Sequence, residues 1–398
     1  MRMLLATAGS RGDVEPFVAL AQRACERGHE VLLLGPAGTA ELARAAAGVV
    51  VREVDADFRR MIHEQGTSAL GAARAFRRVV RPAMRAVLLG AAEAALEFGP
   101  DVILHHPKVL SAPLAASRVG AARAVVELVP SVTPTAAFPA PGTVPFSLGP
   151  LNRATYGLGG AASAMFRAEL REAAALLGDP EPAAAAASLV PVSPTILPRP
   201  SDWPATAHLT GAWVTDGGAS EALDPAVDAF LDHGDVVTVG FGSMVAEGAA
   251  RRGAAFVLAA RALGLRTLVL RGWGGADVPP HLLGDDVWVA DAAPHAAVLP
   301  RSVVAVHHGG AGTSHAAVRA GAPSVVVPFT ADQPFWARTL HRQSLAAAPL
   351  PQRRVTVQRA ATAIEQALRC HDSTAEAAAA VAQEDGTGVA LDIIESLR

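Results

Sequence analysis

Short apolar runs alternate with longer stretches of helical periodicity along most of the 398-residue chain. In the first half, residues 3–7, 31–34, 49–54, 102–104 and 124–128 read as strands. Residues 16–26 and 69–98 carry apolar positions at helical spacing between them. Six prolines interrupt residues 129–158, at 130, 134, 139, 141, 145 and 150, and predict a long irregular loop of the kind that often binds ligands. A helix is expected over 163–177, and the proline-rich stretch 191–204 predicts a domain boundary. The alternation then restarts, with strands at 236–240, 266–270, 287–290, 303–306 and 324–327 and a helix at 249–263. Ala6-Thr7-Ala8-Gly9-Ser10 stands in the first half where Val239-Gly240-Phe241-Gly242-Ser243 stands in the second. Strands that alternate with helices form parallel sheets covered on both faces. The pattern predicts an α/β chain of two Rossmann-like, doubly wound domains facing a cleft, over 1–205 and 206–380. Ligands of such sheets bind beyond the carboxyl ends of the strands.

Composition narrows the function classes. Half of the residues are hydrophobic, 18% are charged and the net charge is -3, which gives large cores and no basic footprint for nucleic acid. Cys25 and Cys370 have no CxxC neighbour, so neither a disulfide framework nor a zinc site is expected, and a reducing cytoplasm is the natural compartment. The apolar run at the N-terminus stops at Gly9, too short for a signal peptide, and no apolar stretch is long enough for a membrane helix.

Three stretches carry candidate chemistry. The strand at 303–306 delivers His307-His308-Gly309-Gly310-Ala311-Gly312-Thr313 to the start of a helix. Glycines let backbone N–H groups approach an anion, and the helix points its positive end at the same place. Equally, such glycines can form a mere tight turn; the adjacent histidines and Thr313 favour an anion site. Next, Asp332 and Gln333 lie past the following strand and suit neighbouring sugar hydroxyls. Alone, Asp332 reads more readily as a helix N-cap with Pro334 in the first turn. The third stretch is Gly9-Ser10-Arg11-Gly12-Asp13-Val14-Glu15-Pro16, where Pro16 suggests that the helix begins there and leaves Asp13 facing the cleft.

Five motifs in order, Gly-Ser-Arg-Gly-Asp-Val-Glu-Pro at 9–16, Gly-Phe-Gly-Ser at 240–243, Arg-Gly-Trp at 271–273, His-His-Gly-Gly-Ala-Gly-Thr at 307–313 and Ala-Asp-Gln-Pro at 331–334, resemble the inverting GT-B glycosyltransferases, in particular the glycopeptide-antibiotic and sterol branch. The resemblance implies a cofactor-free, metal-independent transferase acting on a nucleotide sugar, UDP- or dTDP-linked, and a lipophilic hydroxylated acceptor such as a secondary-metabolite aglycone or sterol. It implies Asp13 as general base with Ser10 beside it, and Arg11 and Gly12 near the donor. His308, Gly310, Gly312 and Thr313, with Gly309, Ser243 and His307, would hold the diphosphate, and Asp332 and Gln333 the sugar. Residues 290–295, including Ala293 and His295, would line the base pocket with Trp273. It also implies that the tail, 381–398, crosses back to the first domain. Where plant relatives place a tryptophan on the base and a glutamate on the ribose, this chain has Ala292 and Ala316. The absence of glutamate between Glu247 and Glu365 argues against a retaining E-x7-E site.

Weaker features remain. His105 and His106 end a strand and are as readily ordinary strand-end residues as acceptor contacts or helpers of the base. Phe138 and Phe146 in the proline-rich loop suit an apolar acceptor. Arg74, Arg77, Arg78, Arg81 and Arg85 cluster on one helix and read mainly as a solvated face. Two other readings stay open: a nucleotide-sugar epimerase, and a non-catalytic homologue that activates a partner transferase.

Overall fold

The computed structural model describes residues 1–56, 58, 74–214, 223–242, 244 and 247–397. Two parallel sheets organise them. The first contains β1 (Arg2–Ala6), β2 (Glu30–Pro36), β3 (Val50–Val54), β4 (Val102–His105), β5 (Ala122–Val126), β6 (Ala187–Val190) and β7 (Ala207–Leu209), in the order β3-β2-β1-β4-β5-β6-β7. The second contains β8 (Val236–Gly240), β9 (Arg266–Leu270), β10 (Val287–Ala290), β11 (Ser302–His307) and β12 (Ser324–Val326), in the order β10-β9-β8-β11-β12. Each sheet therefore reverses its winding between its first and fourth strands. Each has a crevice there: between β1 and β4, where Ala6 pairs with His105, and between β8 and β11, where Gly240 pairs with His307.

The longer helices are α1 (Arg11–Glu26), α2 (Arg81–Phe98), α3 (Ala112–Val119), α4 (Arg167–Leu177), α5 (Ala249–Ala262), α6 (Ala311–Arg319), α7 (Gln333–Arg342), α8 (Val357–Leu368), α9 (His371–Val381) and α10 (Gly386–Glu395). The central strands are buried on both faces, which explains their continuous apolar runs, while the edge strands β3 and β10 are partly exposed. Phe17 and Leu20 of α1 pack on Met3 and Leu33, while Phe256 of α5 packs with Val237 and Val269.

Some boundaries differ from those expected. Helix α1 starts at Arg11, not near Pro16, because Ser10 and Asp13 form an N-terminal cap. Pro16 lies inside the helix. Strand β7 pairs with β6, so the proline-rich stretch 191–204 joins two strands of one sheet, and the expected boundary at 205 falls just before the sheet's last strand. The helix expected over 163–177 is broken at Phe166, which packs on Met84 and Leu88. Of the helix expected over 69–98, residues 69–73 lie outside the described residues; a π-helical turn at Phe76–Val80 then leads into α2.

The two halves share a core. Phe138, Val192, Ile196 and Trp203 from the first half meet Phe335, Trp336 and Leu340 of α7 and Val381 of α9. Helix α10 then returns to the first half, where Leu391 and Ile394 join the core against α1 and Arg27 pairs with Asp392 at 2.6 Å. The two segments that link the halves touch at glycines: a Cβ on Gly386 would lie 2.4 Å from the Ala212 carbonyl oxygen and 2.7 Å from the Gly211 carbonyl carbon.

Candidate active site

The crevice between β1 and β4 explains the environment of Asp13. The loop after β1 turns into α1, and the loop after β4 begins with His106. Gly9, at φ 145°, makes the turn; a Cβ there would lie 2.1 Å from Asp13 Oδ2. Oδ2 accepts from the Ser10 N–H at 2.7 Å and the Ser10 hydroxyl at 3.1 Å. Oδ1 accepts from Lys108 Nζ at 3.0 Å, and His106 Nε2 lies 3.4 Å from it. Asp13 is thus a helix cap and also keeps a face toward the cleft, with 22% of its side chain exposed. Burial pushes its carboxyl up, but Lys108 and His106 outweigh that and hold it well below the usual carboxylate range.

His106 is poised as a neutral donor. Its Nδ1 accepts from the Lys108 N–H at 3.1 Å, which leaves the proton on Nε2, facing Asp13. Burial lowers its pKa. His105 points elsewhere. Its Nε2 meets Arg123 at 2.9 Å, its Nδ1 meets the His106 carbonyl, and burial and the Arg123 charge push it down to about 3. The adjacent histidines therefore separate: His106 belongs to the Asp13 site and His105 to the sheet interior.

The second crevice builds the turn after β11. Gly309, at φ 88°, fits where a Cβ would lie 2.6 Å from Val326 Cγ1, and a Cβ on Gly310 would lie 2.6 Å from His308 Nε2. Gly310 caps α6 without a side chain, so the N–H groups of Ala311, Gly312 and Thr313 begin the helix without intrahelical partners. His307 Nδ1 accepts from the Gly309 N–H at 3.1 Å. His307 Nε2 and His308 Nδ1 are buried without a hydrogen-bond partner. Burial pushes His307 down to about 3 and His308 down to about 4, so both rings are neutral at pH 7. Buried unpaired polar atoms are costly, and these two lie beside the open amides.

Asp332 precedes α7 and accepts from Trp336 Nε1 at 2.7 Å. Burial raises its pKa, and the charges of Asp13 and Lys108 both act on it across the cleft. Ala331, just before it, is held at φ 55°. Gln333 is buried, and its Oε1 accepts from the N–H groups of Phe329 at 2.7 Å and Thr330 at 3.0 Å. In this structure it shapes the loop that carries Asp332. His295 and Ala293 lie beyond β10; the charges of Glu15 and Arg11 on α1 act on His295, which places it opposite that helix. Arg11 pairs with Glu15 at 2.6 Å, and Gly12 is exposed beside it. The Trp273 backbone N–H donates to the Gly242 carbonyl at 3.0 Å, and the residue is 39% exposed. Ser243 lies outside the described residues.

The aromatic pair in the proline-rich loop does not form one surface. Phe138 is buried against Phe335, with centroids 5.0 Å apart, whereas Phe146 is exposed. Arg81 and Arg85 of the arginine cluster pair with Glu169 and Glu172 of α4, while Arg74, Arg77 and Arg78 are exposed. Sequence reasoning assigned no role to Lys108 or to Glu127. Glu127 is buried at the root of the loop and accepts from the Val132 N–H at 2.7 Å and the Ser188 hydroxyl at 2.6 Å. Their signal was position, since both follow strand ends in the first sheet.

Among the described residues, no helix is long and apolar enough to cross a membrane. Nor is any group of three His, Cys, Asp or Glu side chains among them placed to hold a metal ion. Residues 3–97 match the glycosyltransferase family 28 N-terminal domain, and residues 277–390 match the erythromycin biosynthesis protein CIII-like C-terminal domain. The chain is 33% identical to the O-mycaminosyltylonolide 6-deoxyallosyltransferase of Streptomyces fradiae, over 92% of this chain and 90% of that one. It is 31% identical to glycosyltransferase GtfE of Amycolatopsis orientalis, over 99% of this chain and 97% of that one. The fold also matches the crystal structure of the kitacinnamycin glycotransferase, with a TM-score of 0.73 at 20% identity, covering 100% of this chain and 98% of that one. Relatives that span almost the whole chain, matched domains in both halves and two sheets that share one winding make this chain a member of the GT-B glycosyltransferases.

Proposed function

We propose that the chain moves a sugar from a UDP- or dTDP-sugar to a hydroxyl of a lipophilic natural product, with inversion and without a metal ion. The observation that carries this reading is geometric: one crevice holds the Asp13 carboxylate between Ser10, Lys108 and His106, and the other ends in the turn with open amides, with Asp332 on the next loop. Asp13 takes the proton of the acceptor hydroxyl as its oxygen bonds to the anomeric carbon. The bond from that carbon to the diphosphate oxygen breaks on the opposite face, and its electron pair stays with the phosphate. The amides of Ala311, Gly312 and Thr313 receive that charge, and neutral His308 adds a ring N–H. Asp332 holds sugar hydroxyls, with Trp336 fixing its orientation. Trp273, Ala293 and His295 lie where the nucleoside would extend. The relative that acts on O-mycaminosyltylonolide supports a natural-product acceptor over a sterol.

Mass spectrometry of donor hydrolysis over a panel of UDP- and dTDP-sugars tests the donor class; turnover of none would reject it. Asp13→Ala, assayed with acceptor bound, should lose about 100-fold or more in kcat. Full turnover by that variant would remove the base assignment. The anomeric configuration of the product, read by NMR coupling, tests inversion.

A further inference from the structure

Lys108 is the only lysine in a chain with 34 lysine and arginine residues, and it is the residue that pairs with Asp13. Its side chain is 44% exposed at the mouth of the cleft. The oxygens of Asp13 are otherwise held by fixed groups. Oδ2 receives both donors of Ser10, which belongs to the cap of α1. Oδ1 receives Lys108 and faces the buried His106 ring, which the Lys108 backbone N–H orients. An acceptor hydroxyl that reaches this carboxylate must take a position already filled. Among these partners only the lysine head stands on a flexible, half-exposed stem. An ammonium is a compact point charge that can swing away, whereas a guanidinium would grip the carboxylate through two parallel bonds.

We infer that Lys108 is a positioning residue of the transfer reaction: its ammonium holds Asp13 Oδ1 in the empty cleft and yields that oxygen to the acceptor hydroxyl. The inference rests on the reading of Asp13 as the base. In the empty cleft the contact keeps the carboxylate ionised and turned toward the acceptor side. When the hydroxyl displaces the ammonium, the carboxylate loses its nearest positive charge and becomes a stronger base at the moment it is needed. The charged or titratable groups that face this position are His106 on the same loop, Asp13 on α1 and Asp332 before α7. Asp332 offers the displaced ammonium a second carboxylate across the cleft.

The test is kcat and the acceptor KM, measured near neutral pH, in the parent enzyme, Lys108→Met and Lys108→Arg. Without the ammonium the carboxylate is no longer held toward the acceptor side, so Lys108→Met should lose about tenfold or more in kcat with the donor KM unchanged. A guanidinium grips the carboxylate through two bonds and yields it less readily, so Lys108→Arg should raise the acceptor KM. Parent kcat and acceptor KM in both variants would overturn the inference. So would a Lys108→Met variant whose only change is a higher KM for the donor, since that assigns the ammonium to a substrate phosphate. Acetylation of the folded parent provides a check that needs no variant to fold. It reaches one lysine, and the same treatment of Lys108→Arg subtracts the effect at the α-amino group. Acetylated parent should reproduce the kcat loss of Lys108→Met; an unchanged kcat rejects the inference. Asp13→Ala separates the two readings. If that variant retains turnover, the base assignment fails; if it is inactive and the Lys108 variants keep the parent kinetics, only the role of Lys108 fails.

Discussion

The backbone N–H of Ser193 donates to Nε2 of His315 at 3.3 Å, joining two residues 122 positions apart. Ser193 follows β6 of the first sheet, and His315 lies on α6 of the second half. The His315 Nδ1–H is used on the Ala311 carbonyl at 2.8 Å, so Nε2 is left as the acceptor. The Ser193 hydroxyl donates to Glu384 at 2.6 Å, just before α10. One serine thus ties together three segments at the seam between the halves.

This seam makes stability depend on pH. Burial pushes His315 down to about 4 from an unfolded value near 6.5. The unfolded chain therefore binds more protons between these values, and folding loses stability as pH falls from about 6.5 to 4. Denaturant midpoints at pH 7 and pH 4.5 measure the loss. His315→Gln should reduce the difference between the two pH values by about 2 kcal/mol. An unchanged difference would mean that His315 is already protonated in the fold.

His308 should govern the donor and leave the acceptor alone. Its ring is neutral at pH 7, so it meets a diphosphate as a hydrogen-bond donor, without a charge of its own. His308→Ala should weaken binding of UDP or dTDP by about tenfold or more, the loss of one hydrogen bond to a charged group. Titration calorimetry with the free nucleotide reads this directly. Unchanged nucleotide affinity would remove His308 from the donor pocket.

Glu127 anchors the root of the proline-rich loop. Each of its oxygens faces only donors: the N–H groups of Val132 and Thr133 and the hydroxyls of Thr133 and Ser188. Glu127→Gln is nearly isosteric, but it turns an amide toward those donors and leaves at least one pair mismatched. A stability loss of about 2–3 kcal/mol is expected in urea unfolding, together with faster proteolysis of the loop. Wild-type stability in that variant would show that the donors have found other partners.

Much of the architecture was legible because strand and helix leave different periods in the sequence. The five strands of the second half and the turn at 307–313 were found in place. The observed start of α1 precedes the expected one because Pro16, which favours a first helical turn, lies inside the helix, while Ser10 and Asp13 have the spacing of a cap. Asp13 both caps α1 and faces the cleft, because its two oxygens divide the roles. Phe138 and Phe146 lie close in the chain, whereas packing between the halves buries one and leaves the other exposed. The pairing of Lys108 with Asp13 depends on β1 and β4 being neighbours in the sheet, and sequence order does not reveal that neighbourhood.

The glycine contact at Gly211 and Gly386 has a mechanical consequence. The chain passes from the first half to the second after β7 and back again before α10, and these two passages meet backbone to backbone. Two links that touch leave no room for a side chain between them. A methyl group at Gly386 would wedge against the carbonyls of Gly211 and Ala212 and push the crossing strands of chain apart, so this one backbone contact sets how closely the halves are tethered.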